Sequence, residues 1–200
     1  MTETECGRPK ILFVSLGCDK KLADSEAMLG ILSEHGYSFT DDEAEAEVIV
    51  VNTCCFIGDA KEESINALLE FGELKKEGRL QVLAAAGCLA QRYREEIRRE
   101  IPEVDVLVGT TAIDEIAAAV EDALEGKKTD HYREIDRAPA VSRRRVITTG
   151  GHFAYLKIAE GCDKHCTYCI IPKVRGNFRS VPMEQLIEEA QYLADQGVKE

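Results

Sequence analysis

Residues 48–58 read VIVVNTCCFIG, and this stretch decides the fold. Val48–Val51 form a continuous β-branched run, too short for an ordinary helix and too uniformly apolar for a half-exposed strand. Such a run reads as a strand buried on both faces, the mark of a parallel sheet covered by helices. It stops at Asn52-Thr53, passes two cysteines, and gives way at Gly58 to a helical segment that runs to Glu77 and is stopped by Gly78.

The same unit recurs on either side. Ile11–Leu16 is an apolar run ending at Gly17. The segment Leu22–His35 follows, placing Leu22, Met28, Leu29 and Leu32 near one helical face, with Gly36 at its end. Downstream, Val82–Ala86 reads as a strand, Gln91–Glu100 as a helix, Val104–Val108 as a strand, and Asp114–Glu125 as a helix closed by Gly126. Buried strands alternating with helices predict an α/β fold, a doubly wound, flavodoxin-like parallel sheet over residues 1–126. Periodicity does not encode the order of the strands.

Residues 127–153 read as a basic linker containing Pro139 and ending in Thr148-Thr149-Gly150-Gly151; Arg143-Arg144-Arg145 is of a kind that can grip a phosphate or an acidic surface, but is expected to be a solvated connector. A second unit spans 154–200. Tyr155–Ala159 is expected as a strand, then a cysteine-rich loop, then a helix over Pro182–Gln196 with Leu186, Ile187, Ala190 and Leu193 along one side. Val198 is expected to begin another strand. One such unit cannot bury both faces of a sheet, and β/α barrels take roughly 200 residues or more. Residues 154–200 therefore read as the truncated start of a (β/α) barrel, and the 200-residue chain alone is expected to be catalytically silent.

The net charge is −12, and the acid excess sits in the first 126 residues, with 27 Asp and Glu against 12 Lys and Arg. That surface argues against direct nucleic-acid binding and is compatible with a basic protein partner. No apolar stretch approaches the roughly 18 residues of a membrane span. The start, MTETECGRPK, lacks the grammar of a secretory leader, so a cytoplasmic location is expected.

Without a secretory context, eight cysteines read as metal or cluster ligands or catalytic thiols. Cys162, Cys166 and Cys169 lie in GCDKHCTYC directly after a predicted strand. Three thiolates can hold three irons of a 4Fe–4S cluster and leave the fourth open. Structural zinc wants a fourth ligand, and His165, squeezed between two of these cysteines, is awkwardly placed to complete a tetrahedron.

Cys18, Cys54 and Cys88 each follow a different predicted strand, in SLGCDKKLADSE, VVNTCCFIGDAKEES and LAAAGCLAQ. Parallel strands all point the same way, so these three loops are expected at one sheet edge, where open α/β sheets bind ligands. They form a second candidate set of three thiolates. Cys55 neighbours Cys54, and adjacent side chains point apart, so Cys54 is the expected ligand of the two. Cys6, in the N-terminal tail, reads as an ordinary thiol.

With these residues placed, the chain resembles the radical S-adenosylmethionine methylthiotransferases along nearly all its length. The Cys-x3-Cys-x2-Cys loop is the signature of the wider superfamily; YLKIAEG before it and IIPKVRG after it narrow the resemblance to methylthiotransferases. The resemblance implies two 4Fe–4S clusters, a radical cluster on Cys162, Cys166 and Cys169 and an auxiliary one on Cys18, Cys54 and Cys88. It also implies S-adenosylmethionine as cofactor, with Tyr168 packing against the adenosine or else serving as a plain core residue, and an electron donor such as flavodoxin or ferredoxin. SLGCDKKLADSE and NTCCFIGDAKEES resemble the branch that modifies the β-carbon of an aspartate in small-subunit ribosomal protein twelve. The tRNA-modifying branch usually reads closer to GCQMN and NTCxVR. Lys21 stands where asparagine is frequent in the family, and Cys55 where glycine is frequent. A reading from another class is an iron–sulfur electron carrier or scaffold with no substrate of its own.

Overall fold

The computed structural model describes residues 8–139 and 144–200. Cys6 and Arg143 lie outside the described residues.

Six strands, β1 (Lys10–Ser15), β2 (Ser38–Thr40), β3 (Val48–Thr53), β4 (Val82–Gly87), β5 (Val106–Val108) and β6 (Thr129–His131), form one sheet in the order β2-β1-β3-β4-β5-β6. Every pairing is parallel. Over the first five strands this is the flavodoxin-like order, whose topological switch point lies between β1 and β3. Helices α1 (Asp19–Glu34) and α5 (Ile116–Leu124) cover one face; α2 (Gly58–Lys76), α3 (Cys88–Arg92) and α4 (Arg94–Glu100) cover the other. Alternation along β3 and β4 divides the core accordingly. Val48, Val50, Val82 and Ala84 meet Met28, Leu32, Ile116 and Val120. Ile49, Val51, Leu83 and Ala85 meet Leu68, Phe71, Leu89 and Ile97. Burial on both faces is why these strands read as unbroken apolar runs.

Several local expectations change. Gln91–Glu100 is not one helix: Tyr93, at φ −116° and ψ 35°, separates α3 from α4. The edge strands β2 and β6 carry no apolar run to announce them, and β6 falls within the stretch read as a linker. In α1, Met28 and Leu32 are buried as expected, while Leu22 and Leu29 are only partly so. The N-terminal half of that helix buries Lys21, Asp24, Ser25 and Glu26 instead, because it faces other charged groups rather than an apolar sheet.

Beyond residue 144 the chain folds back against α1. Val146 N–H donates to the Glu26 carbonyl at 3.1 Å, and Thr148 N–H to the Glu26 carboxylate at 2.7 Å. Arg145 is not solvated as expected of the arginine run: it is 4% exposed and stands between Glu26 at 3.7 Å and Glu189 at 3.3 Å. The strand expected over Tyr155–Ala159 is confined to β7 (Ala159–Glu160), which pairs antiparallel with β8 (Arg179–Ser180). The Tyr155 carbonyl is taken by Arg145 at 2.5 Å, so no ladder forms there. No strand begins at Val198, although Lys199 N–H donates to His152 and Ala154 N–H to Glu200. Between them lie α6 (Ile171–Arg175) and α7 (Met183–Asp195); of the expected stripe on α7, Leu193 is buried and Ile187 is exposed. Among the described residues no helix is long and apolar enough to cross a membrane.

Gly30 shows how tightly the returning segment packs on α1: a Cβ there would stand 2.0 Å from the Arg144 carbonyl oxygen. Helix propensity alone favours Ala over Gly by about 1 kcal/mol. Overpacking against backbone costs about 1–3 kcal/mol, so Gly30→Ala is expected to lower the denaturant midpoint. A raised midpoint would show that this segment does not rest on α1.

Candidate functional site

The carboxyl ends of β1, β3 and β4 carry the cysteines. Cys18 caps the N-terminus of α1, Cys54 follows β3, and Cys88 is the first residue of α3. The parallel register that pairs Ser15 with Asn52 and Thr53 with Gly87 sets the three turns side by side. All three cysteines line one cavity of about 180 Å³, together with Lys20, Lys21, Cys55, Phe56, Ile170, Ile171, Val174 and Arg175.

Two glycines make this cavity possible. Gly17 and Gly87 immediately precede Cys18 and Cys88, with φ of +106° and +94°, a region that favours glycine. A Cβ on Gly17 would come within 3.0 Å of Cys54 Sγ, and one on Gly87 within 1.8 Å of Lys21 Nζ. Cys54 is held by Ser64, whose hydroxyl accepts from the Cys54 N–H at 2.9 Å and stands 3.0 Å from its carbonyl.

Cys55 also reaches the cavity wall, which sequence reasoning did not expect. Its thiol donates to the Cys88 carbonyl at 3.3 Å, and burial, aided by the neighbouring Cys88, pushes it up to about 11. It is a hydrogen-bonded thiol on the same wall as Cys18, Cys54 and Cys88.

The second set sits on the loop between β7 and α6. Cys166 and Cys169 line a cleft of about 660 Å³ with His165, Tyr168, Phe56, Ile57, Arg92 and Lys173. Cys162 is not on that wall; its N–H donates to the Gly176 carbonyl at 3.0 Å. Tyr168 is 90% exposed, so it is not a core residue. Phe56 and Ile170 line both the cleft and the thiol cavity. Cys18, Cys54 and Cys88 on one side and Cys166 and Cys169 on the other thus line adjoining spaces with a shared apolar wall. Thr110 fixes that wall from the sheet side, donating to the Val174 carbonyl of α6 at 2.7 Å.

Among the described residues no three His, Cys, Asp or Glu side chains converge tightly enough to chelate a single metal ion. A lone tetrahedral ion needs its sulfurs about 2.3 Å from one centre. A cubane carries each thiolate on a separate iron, so its ligands stand around a space rather than a point. Three thiols around a cavity that glycines keep open, with lysine and arginine in its wall, fit such an anionic group.

A buried ion cluster joins the two sets. Asp24 accepts from Lys157 at 2.5 Å and from Arg175 at 2.7 Å; Glu160 accepts from Arg175 at 3.1 Å and pairs with Lys157 at 3.3 Å and Lys20 at 3.1 Å. Asp24, Glu160 and Arg175 are each buried. Burial alone would raise Asp24 and Glu160, but the Arg175 and Lys157 cations overcome it and hold both below the usual carboxylate range. Burial would lower Arg175, and Asp24 beside it drives it well above its ordinary value instead. Sequence reasoning missed these residues. Their signal was present as charges at set places inside SLGCDKKLADSE, YLKIAEG and IIPKVRG.

A family model described as Uncharacterized protein family UPF0004 matches residues 10–109. The chain is 60% identical over 191 residues to the ribosomal protein uS12 methylthiotransferase RimO of Lachnoclostridium phytofermentans, covering 96% of this chain and 43% of that protein. It is 52% identical to the protein of the same name from Pelotomaculum thermopropionicum and 49% to that of Clostridioides difficile, each with 96% of this chain and 43% of the relative covered. The chain therefore spans less than half the length of the curated relatives it matches.

Removing one partner of a buried ion pair costs about 3–5 kcal/mol. Asp24→Asn is expected to raise hydrogen exchange over residues 155–176 while β3 and β4 stay protected. Acid acts in the same direction. Both carboxylates have depressed folded values, so their contribution is full above the ordinary carboxylate range, near pH 4, and is lost as pH falls through the folded values. Unchanged exchange in the variant would show that the ion cluster does not hold the cysteine loop.

Proposed function

We propose that this chain, which belongs to the UPF0004 family, is the front portion of a radical S-adenosylmethionine methylthiotransferase acting on the β-carbon of an aspartate in ribosomal protein uS12. The observation that carries this reading is the shared wall: the cavity of Cys18, Cys54 and Cys88 adjoins the cleft lined by Cys166 and Cys169, with Phe56 and Ile170 lining both. A carrier or scaffold requires no such pairing of two sites around an open cleft. The names of the relatives supply the acceptor.

In this reading Cys162, Cys166 and Cys169 hold one 4Fe–4S cluster, and Cys18, Cys54 and Cys88 hold the other. When bound, the clusters and S-adenosylmethionine supply reductive cleavage to a 5′-deoxyadenosyl radical, hydrogen abstraction from the unactivated carbon, and the methylated sulfur that is transferred. The residues of the chain bind, orient and exclude. Exposed Tyr168 offers its ring to the adenosine at the mouth of the cleft. Phe56 and Ile170 give the boundary between the two sites an apolar lining. Arg92 and Lys173, on the cleft wall, present cations to an acidic acceptor. The acidic sheet domain suits a basic ribosomal protein better than nucleic acid. A cytoplasmic location and an electron donor such as flavodoxin or ferredoxin complete the proposal.

Full-length, anaerobically reconstituted protein tests it. Cys162, Cys166 and Cys169 changed together to Ala should leave about half the iron. Cys54→Ala should abolish methylthio transfer to uS12 yet leave some formation of 5′-deoxyadenosine, whereas Cys166→Ala should abolish both. Folding is checked first, since loss of a cluster can loosen the domain holding it. Deoxyadenosine from the Cys166 variant but not from the Cys54 variant would reverse the assignment.

A further inference from the structure

Lys21 is among the most deeply buried side chains of the chain, at 1% exposure, and it lines the cavity of Cys18, Cys54 and Cys88. Its stem passes Gly17, whose added Cβ would lie 3.7 Å from Lys21 Cγ, and its Nζ lies against Gly87. Those are the residues before Cys18 and Cys88, so the side chain runs between the turns that carry the thiols. Nζ donates to Asn52 Oδ1 at 2.7 Å, and Asn52 in turn donates to the Lys21 carbonyl and to Ser25 Oγ. A primary ammonium has three donors, and a neutral amide oxygen answers one of them without balancing the charge.

Burying an ammonium costs several kcal/mol unless an anion is paired with it. Asp24 is the carboxylate that acts on Lys21, but its two oxygens already accept from Lys157 and Arg175. Glu160 is likewise engaged by Arg175, Lys157 and Lys20. Lys20, Lys21, Lys157 and Arg175 therefore face two carboxylates, with two positive charges in excess beside the thiol cavity. Burial, joined by Arg175, pushes the Lys21 ammonium below its ordinary value; Cys88 opposes that most, then Asp24 and Cys54.

We infer that Lys21 is an electrostatic positioning residue for the auxiliary cluster, its ammonium balancing the negative charge gathered on Cys18, Cys54 and Cys88 and raising the reduction potential of the group they hold. The inference rests on the proposed two-cluster reading. A positive charge close to a cluster favours the more negative, reduced form, so its removal lowers the potential. What the lysine adds is charge.

The test uses full-length protein with Cys162, Cys166 and Cys169 changed to Ala, so that only the auxiliary cluster reports. Lys21→Met and Lys21→Asn are introduced into that background, and iron content and midpoint potential are measured anaerobically by electron paramagnetic resonance. Both variants are expected to keep the parent's iron and to show a lower midpoint potential. An unchanged potential in a variant that keeps its iron overturns the inference. Loss of iron from both variants also overturns it, since Lys21 would then be a structural prop of the cavity. A parent without iron would instead sink the cluster assignment on which the inference rests.

Discussion

Parallel pairing of β1, β3 and β4 is the constraint on which the rest of the structure depends. A parallel ladder lets each strand end at the same edge, and each crossover helix then starts there. Cys18, Cys54 and Cys88 are far apart in the chain, yet each sits in the first turn after a strand, so the ladder alone brings them together. The register also sets Gly17 near Cys54 and Gly87 near Lys21. An added methyl at either place would fall on one of the groups that line the cavity.

Buried charges help attach the second unit to α1. Asp24, Lys157, Glu160 and Arg175 form a compact set, and Arg145 between Glu26 and Glu189 repeats the device two residues further along α1. Such groups add little net stability compared with well-packed apolar residues, but they tolerate few alternative arrangements because each unpaired charge is costly. That property suits a junction whose task is to hold two thiol sets at a set separation. Phe56 and Ile170 fill the space between them, and Thr110 ties α6 to the end of β5.

Much of this was legible in the sequence where apolar pattern and topology decide. Val48–Val51 and Val82–Ala86 announce buried strands, and three cysteines at strand ends announce a shared edge. The edge strands escaped notice because Ser38–Thr40 and Thr129–His131 are short and polar, formed by a neighbour rather than by their own pattern. Buried charges escaped for a related reason. Lys21, Asp24 and Glu26 lie on a helix judged by its leucines, and nothing local says that Asp24 and Glu26 meet Arg175, Lys157 and Arg145 more than 100 residues away. Arg145 reads as a solvated linker residue until the chain is seen to return along α1.

The central claim is that two iron–sulfur clusters occupy adjoining sites on either side of Phe56 and Ile170. Anomalous X-ray scattering at the iron edge, from anaerobically grown crystals of the full-length reconstituted protein, measures this directly. The account predicts two iron peaks, one among Cys18, Cys54 and Cys88 and one among Cys162, Cys166 and Cys169. A single iron peak, or an absorption edge of zinc at either cysteine set, would contradict it.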